Sequence, residues 1–140
     1  MMFRFSFLFA LLFTATTLSA QMERTMYQVF EIDSARVIDL DIAGIYEVSA
    51  WAGSSILVET NIQISHASPE ILSFLIKEGR YDVKADTISP SEIKIYTRFR
   101  ERKPIKTPDG ECTEIATTRF FVPDWFIWTD DKKTLTKKPD

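Results

Sequence analysis

The stretch "ILVETNIQI", Ile56 to Ile64, alternates apolar and polar residues along most of its length. Ile56, Val58, Thr60, Ile62 and Ile64 share one face, and Glu59, Asn61 and Gln63 share the other. A side-chain repeat of two is the geometry of a strand buried on one face only. The same period runs through "RVIDLDIAG", with Ile38, Leu40 and Ile42 opposite Asp39 and Asp41. It recurs in "IYEVSAW", with Tyr46, Val48 and Ala50 opposite Glu47 and Ser49. Gly44 and the turn signal "AGSS" punctuate these runs. Strand starts spaced by roughly ten residues are an all-β rhythm, and the units share too little identity to be a sequence repeat.

One segment departs from this period. In "SPEILSFLIKEGR", Ser68 suits an N-cap and Pro69 the first helical position. Glu70 falls in the first turn, where the helix dipole favours a negative charge. Ile71, Leu72, Leu75 and Ile76 recur at helical spacing beside Phe74, and Gly79 supplies a stop. The spacing predicts one inserted α-helix over 68–79, packed on a sheet because so short a helix is marginal alone. Alternation returns in "YDVKAD", with Tyr81, Val83 and Ala85 on one side. It continues in "EIKIYTRFRERKPIK", with Ile93, Ile95, Thr97 and Phe99 opposite Lys94, Tyr96, Arg98 and Arg100. "TPDGE", carrying Pro108, Asp109 and Gly110, is a turn signal. The strands on either side of it are expected to form a hairpin with a four- or five-residue loop. "DDKKTLTKKPD" has almost no apolar content, and 129–140 are expected to be a disordered charged tail.

The chain opens "MMFRFSFLFALLFTATTLSA": a short region whose one charge is Arg4, an apolar run from Phe5 to about Ala15, then small and polar residues. This is the layout of a secretory signal peptide over 1–20, cut after Ala20, and the run is too short to span a bilayer. The alternative is an uncleaved N-terminal anchor. An exported protein is expected, whether periplasmic, on the outer surface or secreted, with a single β-rich domain over 21–128. No apolar run after Ala20 is long enough for a transmembrane segment. The chain carries 17 basic and 20 acidic residues, and Arg4 belongs to the leader. The mature charge is then about −4, a mildly acidic balance that does not point to nucleic acid. With Cys112 the only cysteine, no internal disulfide framework forms and the core must be mainly hydrophobic. Cys112 itself reads as a small buried hydrophobe ahead of a free thiol or an intermolecular bridge.

Candidate chemistry is sparse. His66 stands alone in a polar loop, with no second His and no neighbouring Cys to complete a metal set. The chain lacks a G-x-S-x-G elbow and a Gly-rich phosphate loop. No catalytic, cofactor-binding or metal residues are predicted. Asp39, Asp41, Glu47 and Glu59 lie on polar strand faces and would form an exposed acidic ladder if their strands were neighbours. Such a ladder reads first as a solvated sheet face, and second as a carboxylate pair for glycoside hydrolysis or a calcium site. Lys94, Arg98 and Arg100 with Tyr96 between them, extended by Arg102, Lys103 and Lys106, suit an anion patch, edge-strand protection, or pairing with Glu111 and Glu114. Trp51 suits packing under a loop or helix, or stacking on a sugar ring.

"FEIDSARVIDLDIAGIYEVSAWAGSSILVETNI" and the later "RFFVPD" resemble the adhesin-like β-repeat proteins, a family of secreted bacterial proteins of unknown function. The resemblance covers about Val29 to Asp124. Val122, Pro123 and Asp124 carry its "VPD", and Ile56 to Thr60 its "ILVET". The helix over 68–79 departs from the family's plain strand repeats. The resemblance implies a β-solenoid-like or sandwich-like fold outside the cytoplasm, and no catalytic residues.

The expectation is therefore an all-β domain, a short β-solenoid first and a β-sandwich second, with one inserted helix. Its function is expected to be that of an exported, non-catalytic structural or binding module of the cell envelope, needing no cofactor. A glycan, an envelope component or another protein would be its partner. The surface residues proposed for this are Trp51, Tyr96, Arg98, Arg100, Trp125 and Trp128. The alternatives are a carbohydrate-active enzyme using the acidic face, and a membrane- or partner-docking module using the C-terminal aromatics with Lys132, Lys133, Lys137 and Lys138. In "RFFVPDWFIW", Phe120 and Val122 are expected on one face and Phe121 on the other, with a corner at Pro123 and Asp124 and a last strand over 125–128.

Overall fold

The computed structural model describes residues 21–108, 110–129 and 131–139. The expected leader over 1–20 and Asp109 of the turn signal lie outside them. The alternating runs are strands: β1 (Met22–Phe30), β2 (Val37–Asp41), β3 (Ile45–Trp51) and β4 (Ile56–Ile64). Then come the helix α1 (Pro69–Lys77), β5 (Val83–Ser89), β6 (Glu92–Thr97), the short pair β7 (Lys106–Thr107) and β8 (Gly110–Glu111), β9 (Glu114–Pro123), β10 (Phe126–Trp128) and β11 (Thr134–Lys137).

These strands sort into two main sheets. Sheet A has the order β1-β4-β9-β3, with β3 parallel to β9 and the other pairs antiparallel. Sheet B has the order β10-β11-β2-β6-β5, with β2 parallel to β6 and the other pairs antiparallel. The alternation sets the packing. Ile56, Val58, Phe120 and Val122 of sheet A share one buried cluster with Ile38, Leu40, Ile93, Ile95 and Leu135 of sheet B. The protein is thus all-β with one helix, and of the two expected architectures the two-layer sandwich describes it. Most strand pairs are antiparallel, whereas a solenoid would stack the strands of each coil in parallel on those of the next.

The other half of sheet A's inner face is covered by α1. Ile62 and Ile64 of β4 bury against Leu72 and Tyr81, with Met22, Met26, Leu75 and Ile76 around them. Ser68 caps the helix by accepting from the Ile71 N–H at 3.2 Å, and Gly79 ends it at φ +80°. Cys112 packs half-buried at the edge of this cluster, and burial, then the charges of Glu114 and Glu111, push its thiol up.

Two expectations fail. The long hairpin around "TPDGE" is not formed: β6 pairs with β2 and β5 in sheet B, while β9 pairs with β4 and β3 in sheet A. Only the tip survives, as the two-residue strands β7 and β8. Pairing with the existing sheets buries Phe120 and Ile95 between the two layers, which a free-standing hairpin cannot do. The segment read as a disordered tail contains β11, inserted between β10 and β2. Its single apolar residue, Leu135, is buried at 3 % exposure, and Asp131 organises the turn before it by accepting from Thr129, Lys133 and Thr134. Those bonds, the Thr129 hydroxyl first, hold the Asp131 carboxyl far below its usual range.

Candidate functional site on the outer face of sheet A

Alternation leaves the outer face of sheet A with Glu23, Thr25, Tyr27 and Val29 from β1, and Leu57, Glu59, Asn61 and Gln63 from β4. Ile115, Thr117, Arg119 and Phe121 come from β9, and Ile45, Glu47 and Ser49 from β3. Strand register aligns these residues in rows. Arg119 lies directly between Glu59 and Glu47, and Tyr27 stands beyond Glu59, exposed at 62 %. The next row runs Thr25, Asn61, Thr117, Ile45.

Around the short Thr117 side chain the face is hollowed into a groove of about 410 Å³. Glu47, Arg119, Glu59 and Asn61 line it together with Ile45 and Tyr46. Arg119 donates to the Glu47 carboxylate, and its guanidinium stands 5.8 Å from the Phe121 ring centre. The Asn61 amide donates to Glu23 at 2.9 Å and to Thr25 at 3.2 Å, which fixes its orientation. Glu47 and Glu59 stand on strands two apart, so their backbones are separated by roughly 9–10 Å. The result is a row of positioned donors and acceptors with an aliphatic wall at Ile45, on a rigid sheet.

The acidic ladder does not form. Asp39 and Asp41 belong to β2 in sheet B and face away from Glu47 and Glu59 of sheet A, on the opposite side of the sandwich. Asp41 is instead paired with Arg100 at 2.7 Å and Lys94 at 3.8 Å. Arg98 pairs with Asp82 at 3.6 Å and stacks on Phe99, and Tyr96 sits on the same sheet face, its phenol pushed up by partial burial and then by Asp86. The basic run is therefore largely matched by carboxylates rather than left open. Trp51 packs on its own turn: its indole N–H donates to the Ser55 carbonyl at 2.9 Å, and its ring lies over Gly53. Trp125 packs half-buried against the core, whereas Trp128 is 40 % exposed. Tyr96, Arg98 and Arg100 thus lie on or next to sheet B, apart from Trp51, which neighbours the Pro123–Asp124 corner that leads into β10.

Sequence reasoning missed Arg119, Asn61, Thr117 and Ile45. Alternation assigns each a face, but only the register puts Arg119 between two glutamates. Of a second cluster only the pairing of the basic run with Glu114 was anticipated, through Arg102. Glu114 accepts from Arg80 at 2.9 and 3.0 Å and from the Tyr81 hydroxyl, with Arg102 at 4.0 Å. Burial works to raise the Glu114 carboxyl, but these bonds and charges outweigh it and leave the group below its ordinary value. Burial, then the bond to Glu114, pushes the Tyr81 phenol well above its own.

Comparison with known protein families, curated proteins and solved structures finds no match to this chain.

Proposed function

We propose that this protein is an exported, non-catalytic binding module of the bacterial envelope, and that the groove on the outer face of sheet A takes a neutral glycan. The observation that carries this reading is the Glu59–Arg119–Glu47 row beside Asn61 and Thr117. Planar amide, carboxylate and guanidinium groups, with Arg119 held by Glu47 and Asn61 by Glu23 and Thr25, match the vicinal hydroxyls of a sugar. Ile45 offers an apolar contact beside them. Two carboxylates against one guanidinium leave the groove slightly negative, which favours a neutral ligand over an anionic one. The signal-like leader and the resemblance to adhesin-like β-repeat proteins support export and an envelope setting.

Two observations weigh against the alternatives. Glycoside hydrolysis needs one carboxyl kept protonated, usually by apolar burial, and the Glu47 side chain is 59 % exposed and bonded to a guanidinium. Docking through the C-terminal aromatics needs them free, and Trp125 is packed on the core. A glycan array probed with the protein and with Thr117→Arg tests the proposal. Binding to neutral oligosaccharides that Thr117→Arg abolishes is expected. No binding, or binding that Thr117→Arg leaves unchanged, contradicts it, and release of reducing ends from a bound glycan contradicts the non-catalytic part.

A further inference from the structure

The two sides of the sandwich are closed differently. On the β1/β5 side the Gln28 side chain bridges the sheets, donating to the Val83 carbonyl at 3.1 Å and accepting from the Val83 N–H at 3.0 Å. The outer strand there, β5, carries Lys84 and Asp86 and an irregularity between Thr87 and Ser89, devices that discourage pairing with other chains. On the β3/β10 side an apolar trough of about 260 Å³ opens between the sheets, lined by residues that include Val48, Ala50, Val122, Phe126, Trp128 and Leu135. Above it runs β3, seven residues long and last in its sheet, with one charge, no proline and no bulge. Among the described residues this strand edge is unpaired, and such an edge beside an apolar trough specifies an extended strand as its occupant.

We propose that this occupant is β3 of a second copy of the chain, added antiparallel so that the two A sheets become one continuous sheet. A two-fold axis keeps outer faces outward, so paired residues must have the same parity. The one such register that engages all seven residues of β3 is centred on Val48. It sets Ile45 against the partner's Trp51, Tyr46 against Ala50, and Glu47 against Ser49. Ile45, exposed at 72 %, gains an aromatic neighbour. A bulky side chain meets a small one, and the only charge on the strand meets a hydroxyl rather than its own copy. The partner's Val48 and Ala50 face the same side as the trough and cover it. This contact shares Ile45 and Glu47 with the groove on the sheet face, but its readout is the oligomeric state, which reports on it whether or not the groove binds a glycan.

The register makes a charge test available at Ser49. Ser49→Glu places two glutamate pairs across the axis, whereas Ser49→Lys places two opposite-charge pairs there. Sedimentation equilibrium of the purified protein from about 1 to 100 µM is expected to show a monomer–dimer equilibrium. Ser49→Glu is expected to weaken it by about tenfold or more, and Ser49→Lys to preserve it. Ile45→Asp, at a position too exposed to disturb the core, is expected to weaken it as well. Far-UV circular dichroism of each variant establishes that the fold is retained. A protein that stays monomeric throughout overturns the proposal, as do equal dimerisation of Ser49→Glu and wild type, or loss of the dimer in Ser49→Lys.

Discussion

Tyr81 gives its hydroxyl hydrogen to the Glu114 carboxylate, the same carboxylate that Arg80 grips through two hydrogen bonds. Arg80 also donates to the Lys103 carbonyl at 2.7 Å, and Arg102 lies over the Tyr81 ring at 5.2 Å. One acidic side chain on β9 thereby ties together the segment after α1 and the long connection leading to β7. The Arg80 and Glu114 side chains are only 16 % and 14 % exposed, so the network is largely shielded from water.

Breaking this network is costly because it strands a guanidinium. Glu114→Gln is expected to destabilise the fold by about 3 kcal/mol, the lower end for disrupting a buried pair. Tyr81→Phe, which removes one hydrogen bond to a charged group, should cost about 1.5–3 kcal/mol. Urea unfolding monitored by tryptophan fluorescence measures both. Equal stability of Glu114→Gln and wild type would contradict the role given to Glu114.

The same carboxylate gives stability a pH dependence of known sign. Its pKa in the folded protein is lowered, so its contribution is complete above the unfolded value, about pH 4.3, and is lost as the pH falls through the lower folded value. The Tyr81 phenol shifts the other way. Its contribution is complete below about pH 10 and is lost as the pH rises beyond that. Unfolding midpoints measured from pH 3 to 11 should fall at both ends. Glu114→Gln should flatten the acid arm and Tyr81→Phe the alkaline arm.

Gly79 ends α1 at φ +80°, and a Cβ there would clash with Arg98 Nη1 and lie 2.8 Å from Asp82 Oδ2. Gly79→Ala therefore forces an L-residue into the left-handed region, at about 1–2 kcal/mol, and pushes against the Arg98–Asp82 pair as well. Its melting temperature should drop, while Gly44→Ala, with positive φ but open space around its Cβ, should lose only the backbone part.

The final strand is part of the fold. Leu135→Ala is expected to cost about 2–5 kcal/mol, as for other buried leucines. Deleting everything after Asp124 removes β10 and β11 and exposes the edge of β2, so the truncated chain should fail to give a cooperative unfolding transition. Retention of that transition would revive the reading of these residues as a separate docking tail.

The contrast between β4 and β11 explains how far the sequence could be read. Five inward residues in Ile56–Ile64 give an alternation that only a half-buried strand satisfies, and the face, though not the partner, follows. In Thr134–Lys137 a single apolar residue, Leu135, carries the burial, and its place is set by β2 and β10, which lie far from it or across a turn. The helix was legible because its signals are local: Ser68, Pro69 and Gly79 act within their own turns. The groove was not, because Glu47, Glu59 and Arg119 meet through pairing between strands up to seventy-two residues apart. Periodicity assigns a residue to a face and is silent on its cross-strand neighbour. That silence also produced the unformed acidic ladder and the unformed hairpin.

The binding face itself is best tested by nuclear magnetic resonance, titrating the ¹⁵N-labelled protein with the neutral oligosaccharide that binds it best on the array. The account predicts amide shift changes centred on Glu47, Glu59, Asn61, Thr117 and Arg119, with the sheet B face around Asp39, Lys94 and Tyr96 unmoved. Changes centred on sheet B, on α1 or on Trp125 and Trp128, with sheet A silent, would contradict it.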